Sequence, residues 1–240
     1  MRSALLFLFG LLLGACTTTQ VAAVAPTAPI FDRVESAASL ESKTVALVVS
    51  AEDETRAYCS GVWVSPTSIL TANHCVKDEK FGDLVDYVVR GDVFAPGEVR
   101  ERASISTHGS LLYARDAAHD LALLRALVPP PHAHATVTLE VIRPGMFVQT
   151  MGQPLGLWWS YSSGDVAAVR VLDGGAVDLK DVLFVQTTAP TSPGNSGGAL
   201  FDAYGQIVGI CHGSFTRGQT LNLFIHYQYV DALLRSQHSL

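Results

Sequence analysis

Beyond residue 43 the chain alternates short apolar or β-branched runs with turn residues, over residues 44–50, 57–64, 68–72, 84–90, 122–125, 147–151, 165–171, 183–186, 207–212 and 222–226. Ten such runs in under 200 residues, punctuated by Gly, Pro, Asn and Asp, predict an all-β fold closed into a pair of antiparallel barrels. The end of the chain changes period. Val230, Leu233 and Leu234 stand at helical spacing within 229–237, which predicts a C-terminal helix. Residues 17–43 are rich in Ala, Thr, Ser and Pro, with Pro26 and Pro29 and little periodicity, and read as a flexible tether.

The first residues follow another logic: Arg2, an apolar run over 4–13, then Leu13-Gly14-Ala15-Cys16. These are the parts of an export signal, and the run falls short of the roughly 20 residues a membrane-spanning helix needs. Gly14 and Ala15 before Cys16 resemble a bacterial lipobox, which implies cleavage before Cys16 and lipidation of its thiol. An ordinary signal peptide that happens to contain a cysteine is the plainer alternative. Thr17, where an aspartate would favour inner-membrane retention, makes the outer membrane the expected destination. The organisation read from the chain is a signal at 1–15, a tether at 16–43 and a folded domain at 44–240. Its barrels cover approximately 44–135 and 136–228.

Composition narrows the class of partner. With 48% hydrophobic and 16% charged residues, the 240-residue chain can bury one or two cores and is no disordered segment. The net charge of −6 is spread without a run of like charge, so nucleic acid is not an expected partner. His132 and His134 form a His-x-His pair beside Pro129-Pro-Pro131, but no third ligand at suitable spacing accompanies them. The expectation is a solvated loop, no metal and no cofactor.

Three stretches carry the chemistry: Thr71-Ala-Asn-His-Cys-Val76, His119-Asp-Leu-Ala-Leu-Leu124 and Pro193-Gly-Asn-Ser-Gly-Gly198. A serine hydroxyl attacks poorly until a base takes its proton, and the base needs a carboxylate to hold its tautomer and balance its charge. His74, Asp120 and Ser196 supply one group of each kind. The expected roles are His74 as general base and acid, Asp120 as its orienter and Ser196 as nucleophile. The Gly194 and Ser196 backbone N–H groups would form the oxyanion hole, each such donor contributing about 2.7–4 kcal/mol in comparable cases. Gly194-Asn-Ser-Gly-Gly198 also matches the elbow of α/β-hydrolases. That fold needs the order Ser, acid, His, which leaves Asp202 or Asp231 with His226 or His238, and Asp202 lies too close after the serine. A non-catalytic binding protein on the same scaffold is the rival from another class, and the intact set of three argues against it.

In these segments the chain resembles chymotrypsin-fold serine proteases, and most closely the bacterial HtrA/Deg group. Thr187-Thr-Ala-Pro-Thr-Ser-Pro-Gly-Asn-Ser-Gly-Gly-Ala-Leu200, Met151-Gly-Gln-Pro-Leu-Gly-Leu157 and Ser163-Gly-Asp-Val166 carry the likeness. The histidine segment, with a cysteine after His74, looks instead like the extracellular branch. The chain ends about 40 residues beyond Ser196, so the resemblance extends to no PDZ domain. Two six-stranded barrels and a C-terminal helix are the implied fold, and protein or peptide substrates the implied partners.

The resemblance also assigns smaller roles. It pairs Cys59 with Cys75, a bridge contributing about 3 kcal/mol by the chain-entropy estimate, the alternative being two reduced buried thiols. Cys211, in an apolar run, is left as an inert buried thiol. Pro190, Thr191, Cys211, His212, Gly213 and Ser214 would line the pocket for the residue before the cut. Pro190 stands where trypsins keep an aspartate, which argues against cutting after Lys or Arg and leaves a small or medium aliphatic residue as the default. His212 in that wall could favour an acidic residue instead. Asn195, where digestive enzymes have aspartate, implies no activation by insertion of a cut N-terminus.

Overall fold

The computed structural model describes residues 35–51, 54–76, 84–89, 107–172, 179–214 and 221–238. The signal at 1–15, Cys16, the tether as far as residue 34, and Arg90 at the end of one expected strand lie outside the described residues.

Twelve strands close into two barrels, as the alternation predicts. The first contains β1 (Thr44–Ala51), β2 (Glu54–Trp63), β3 (Ser68–Ala72), β4 (Leu84–Val88), β5 (His108–Asp116) and β6 (Leu121–Ala126), in the spatial order β1-β2-β3-β6-β5-β4. The second contains β7 (Phe147–Gly152), β8 (Ser160–Leu172), β9 (Val182–Thr187), β10 (Ala199–Phe201), β11 (Ile207–Ser214) and β12 (Asn222–His226), in the order β10-β11-β12-β9-β8-β7. All pairings between these strands are antiparallel, and a single parallel bridge joins Val137 to Ile207 of β11. Two strands had no counterpart in the sequence reading. β5 keeps mostly half-buried or exposed residues, and β10 is three residues long directly after Gly197-Gly198.

Continuous apolar runs appear where both faces of a strand are covered. Along β6, Ala122 and Leu124 join Val45, Leu47, Trp63 and Ile69 inside the first barrel. Leu121 and Leu123 face the other way, into a cluster shared with Met151, Phe184, Phe201 and Ile225 of the second barrel. Val148, Val166, Val185, Leu200 and Phe224 fill the second barrel. Side-chain alternation thus feeds two cores from one strand and seats the barrels on a common apolar wall.

The expected tether stops short of residue 43. A helix, α1 (Ala37–Lys43), precedes β1, with the Ser36 hydroxyl accepting the N–H of Ser39 at its start. Leu40 is fully buried in the shared cluster, Lys43 pairs with Glu35 at 3.0 Å, and Glu35 N–H donates to Ala203 O at 2.7 Å. One large apolar residue in seven, Leu40, is too sparse a signal for helical periodicity, so its docking could not be read from the pattern.

The second helix, α2 (Tyr227–His238), follows β12 directly. At the junction His226 Nδ1 accepts the N–H of Gln228 at 3.2 Å, and burial holds this imidazole down to about 4. Since its folded value lies below that of an exposed histidine, the unfolded chain takes the proton first as pH falls. The stability it contributes is intact above about pH 6.5 and is lost between there and about pH 4, by up to about 3 kcal/mol. Urea unfolding of wild type and His226→Gln at pH 7 and pH 4.5 should therefore show a clearly smaller acid loss in the variant.

Candidate active site

The pairing of β3 with β6 brings the first two site residues together. Ala72 lies opposite Leu121, so the 3-10 turn Asn73–Cys75 after β3 abuts Asp120, which precedes β6, and Asn73 N–H donates to Asp120 O at 2.9 Å. Asp120 adopts the left-handed conformation (φ 53°), one that Asp tolerates better than most residues. Its Oδ1 accepts the backbone N–H of His74 at 2.8 Å, and its Oδ2 lies 2.7 Å from His74 Nδ1. With Nδ1–H held by this buried carboxylate, Nε2 of the more exposed His74 ring is left as the proton acceptor.

Upstream of Asp120, the Asp116 side chain holds both the N–H and Nδ1 of His119, the latter at 2.7 Å. The His119 ring stacks on Tyr229 of α2, centroids 3.8 Å apart. The C-terminal helix is thereby laid against the turn that presents Asp120.

Ser196 comes from the second barrel, in the loop between β9 and β10, and two hydrogen bonds from β2 fasten that loop. Ser60 N–H donates to Ser196 O and Ser60 Oγ to Gly194 O, both at 2.8 Å. Asn195 N–H returns to Ser192 O at 3.0 Å, closing a turn with Pro193 and Gly194 (φ 103°) at its centre, the residue choice of a type II turn. A Cβ on Gly194 would sit 2.2 Å from Gln153 O, so glycine is required by space as well as by φ. Gly197 (φ 81°) is pinned likewise, 2.1 Å from Thr71 Oγ1. The N–H groups of Gly194 and Ser196 have no acceptor among the described residues, nor does the Ser196 hydroxyl bond to any of them. Catalytic hydrogen bonds are often long until substrate is bound.

Cys59 on β2 and Cys75 are joined by a disulfide, with Cα atoms 6.1 Å apart, fastening the turn that bears His74. Cys75 Sγ lies 3.6 Å from Ser196 O, which puts the histidine turn beside the serine loop. A disulfide sulfur has no hydrogen to donate, so this is a packing contact.

The expected pocket residues divide. Pro190 is exposed and its carbonyl accepts the Ser162 hydroxyl at 2.7 Å, while Thr191 donates to Asn222 Oδ1 at 2.7 Å. Gly213 and Ser214 border open space, since a Cβ on Gly213 would meet nothing within 4 Å. In the sequence Asn222 stands only as the first residue of an apolar run, with no site role. It bridges Thr191 to Ala189 O from the head of β12, and a buried polar residue opening an apolar strand is the signal that could have drawn attention to it. None of these residues carries a charge.

The side chains of Cys211 and His212, expected in the same wall, make other contacts. Cys211 is 1% exposed in the core of the second barrel; burial and the charge of Asp120 push its thiol up to about 12, which keeps it protonated and inert. His212 turns to the acid, its Nδ1 2.6 Å from Asp120 Oδ2. Burial acts to raise the Asp120 carboxyl, but the bonds from His212 and His74 and the charges of both rings hold it well below the usual carboxylate range. The ligand atoms of His74, Asp120 and His212 lie within 4.8 Å of one another. With both nitrogens already at hydrogen-bond distance from one oxygen, they form donors around an acceptor rather than ligands around a cation. His132 stacks on Trp63 with centroids 3.6 Å apart.

Two barrels meeting at a histidine, an aspartate and a serine define the trypsin-like class of folds. Residues 59–210 match the trypsin-like peptidase domain, more than half of the chain, and the protein belongs to that family. Within it, the likeness is to the HtrA type. A probable periplasmic serine endoprotease DegP-like of Pseudomonas savastanoi pv. phaseolicola is 31% identical over 169 residues, covering 68% of this chain and 30% of that protein. One with the same description from Halomonas elongata is 40% identical over 86 residues, 34% of this chain and 17% of its own length. An uncharacterised protein, y4bJ, of Sinorhizobium fredii is 32% identical over 159 residues, 63% of this chain and 21% of its own length. The chain thus spans less than a third of these relatives. The HtrA-type protease AlgW, solved with a tripeptide, superposes with a TM-score of 0.65 at 25% identity, covering 84% of this chain and 63% of that one. The serine endoprotease from Yersinia pestis shares the fold, with a TM-score of 0.62 at 20% identity, covering 84% of this chain and 66% of that one.

Proposed function

We propose that this protein is a serine endopeptidase that cuts peptide bonds in exported proteins of the bacterial cell envelope. The observation that carries the reading is the His74–Asp120 pair, its Nε2 free, in a turn packed against a serine loop with two unused backbone N–H donors. In this mechanism Ser196 Oγ attacks the substrate carbonyl as His74 Nε2 takes its proton. The tetrahedral oxyanion is received by the N–H groups of Gly194 and Ser196, and His74 returns the proton to the leaving amine. Water repeats the sequence to release the acyl group from Ser196. No cofactor enters any step. The neutral lining around Thr191, Asn222 and Gly213 suits a small or medium aliphatic residue before the cut better than a charged one.

Envelope placement is supported by the export signal, the disulfide and the periplasmic description of the DegP-like relatives. Lipidation at Cys16 would hold the peptidase at the outer membrane, facing the periplasm, and among the described residues no helix is long and apolar enough to cross a membrane. A fluorophosphonate probe tests the chemistry: the folded protein should label, with the adduct mapped by mass spectrometry to Ser196. No label, or a label elsewhere, would overturn the peptidase reading. Mass spectrometry of the mature N-terminus tests the anchor, with an acylated Cys16 as the expected result.

A further inference from the structure

The segment between β6 and β7 and the turn between β10 and β11 meet at one edge of the second barrel. Val137 bridges Ile207 in parallel, Ile207 N–H donates to Thr136 O at 2.8 Å, and Thr138 N–H to Ile207 O at 3.0 Å. Asp202 fastens the turn, its Oδ1 accepting the N–H groups of Tyr204 and Gln206, each at 2.9 Å. Burial raises the Asp202 carboxyl and the charge of Glu140 adds to it, which sets residue 140 beside the turn. From this bonded backbone three large apolar side chains face water: Leu139 is 87% exposed, Val141 79% and Tyr204 54%. Single exposed apolar residues are ordinary on a protein surface, whereas three grouped on fastened backbone at one edge mark a contact face.

The same edge receives the chain from its N-terminal side. Glu35 N–H donates to Ala203 O at 2.7 Å, and a Cβ on Gly205 would meet the Glu35 side chain at 2.8 Å, so residue 35 lies on the turn that bears Tyr204. Glu35 stands 19 residues after Cys16, a stretch that reaches at most about 65 Å when fully extended. The serine loop belongs to the other end of the hairpin. Ser196 precedes β10 and the turn follows it, while β11 runs back to Cys211, whose carbonyl holds Gly197 N–H.

We infer that Leu139, Val141 and Tyr204 form a membrane-contact face, seated on the lipid surface to which the acylated Cys16 anchors the chain. The inference rests on the lipoprotein reading and adds an orientation to it. Three side chains hold a lipid surface weakly by themselves, but a tether makes the contact intramolecular, at high effective concentration. Leu139 and Val141 bring apolar area to the acyl boundary, and Tyr204 brings a ring with a polar tip to headgroup level. Glu140 and the exposed Arg143 balance in charge, which suits a mostly zwitterionic surface and makes the contact insensitive to salt. A second copy of the chain is the other occupant such a face could take, and the arrival of the anchored segment at the same edge favours lipid. Seated by its turn, the hairpin keeps the serine loop at the end far from the bilayer, open to substrates.

The experiment uses the acylated full chain in vesicles of phosphatidylethanolamine with a minority of phosphatidylglycerol, doped with a lipid bearing a diazirine near its headgroup. After illumination, mass spectrometry should find lipid adducts on the peptides that carry residues 139–141 and Tyr204. Leu139→Gln and Val141→Gln together should lower the yield on those peptides about tenfold, the scale of one aliphatic side chain lost from an apolar contact. A melting temperature near that of wild type shows that this double variant has folded. Wild-type adducts confined to the residues near Cys16 would overturn the inference while leaving the anchor intact, and that measurement needs no variant. So would an unchanged yield in the folded double variant, or chain-to-chain cross-links at 139–141 with no lipid adduct there, the result for a face covered by a second copy. A mature chain with an unacylated Cys16 would remove the lipoprotein reading itself, and this inference with it.

Discussion

Replacing Ser196 with alanine should lower peptide hydrolysis by about a millionfold, the scale seen when the nucleophile of a serine protease is removed, while the melting temperature stays near that of wild type. The two effects separate because of where the hydroxyl sits. Ser196 is half-buried and its Oγ bonds to no described residue, so its removal leaves no partner unsatisfied. The loop is held instead by Ser196 O and Gly194 O, both bonded to Ser60, and by Gly197 N–H, bonded to Cys211 O at 2.8 Å. Alanine keeps all of these. Hydrolysis of a peptide cleaved by wild type, with calorimetry on the same samples, checks the pair of outcomes. A variant retaining even a percent of turnover would remove Ser196 from the role of nucleophile.

Asp120→Asn should cost about ten-thousandfold in kcat, as expected when the orienting acid of such a triad becomes an amide. The geometry here leaves the amide no good placement. If its oxygen keeps the backbone N–H of His74, its NH2 group faces the Nδ1–H groups of both His74 and His212. Relief requires His74 to move its hydrogen to Nε2, the nitrogen that must accept from Ser196. Stability should fall too, because Asp120 is buried and its bonds are charge-assisted, at about 1.5–3 kcal/mol for a hydrogen bond to a charged group. The Asp120 carboxyl is held low in the folded state, so its contribution is complete above the usual carboxylate range and is lost progressively as pH falls from there through the folded value. Steady-state kinetics and denaturant unfolding of the variant near pH 7 read both losses.

Much of this was legible in the sequence because it is written in local pattern. Strands β3 and β12 match their apolar runs residue for residue, since both faces of each are buried and a 3-10 turn follows the one at once and α2 the other. The residues around His74, Asp120 and Ser196 are legible for a different reason: each needs a particular turn beside it, and turns restrict residue type. What could not be read depends on register or on partners far along the chain. From the pattern β11 reads as regular, and the one-residue bulge that carries the His212 ring to Asp120 leaves no mark in it. α1 is stable through Leu40, whose apolar partners lie in both barrels. β5 offers few buried positions for a period to show.

The stacking of His119 on Tyr229 has a consequence in time. The turn that presents Asp120 is translated long before α2, yet one face of it is supplied by a ring from that last helix. Until α2 has been made and has docked, the histidine beside the acid lacks its stacking partner. Tyr229 also accepts the N–H of Leu183 at the start of β9, so the same ring reports that the second barrel has closed. The support that the acid of the first barrel draws from His119 is therefore complete only once the last helix and the second barrel are both in place.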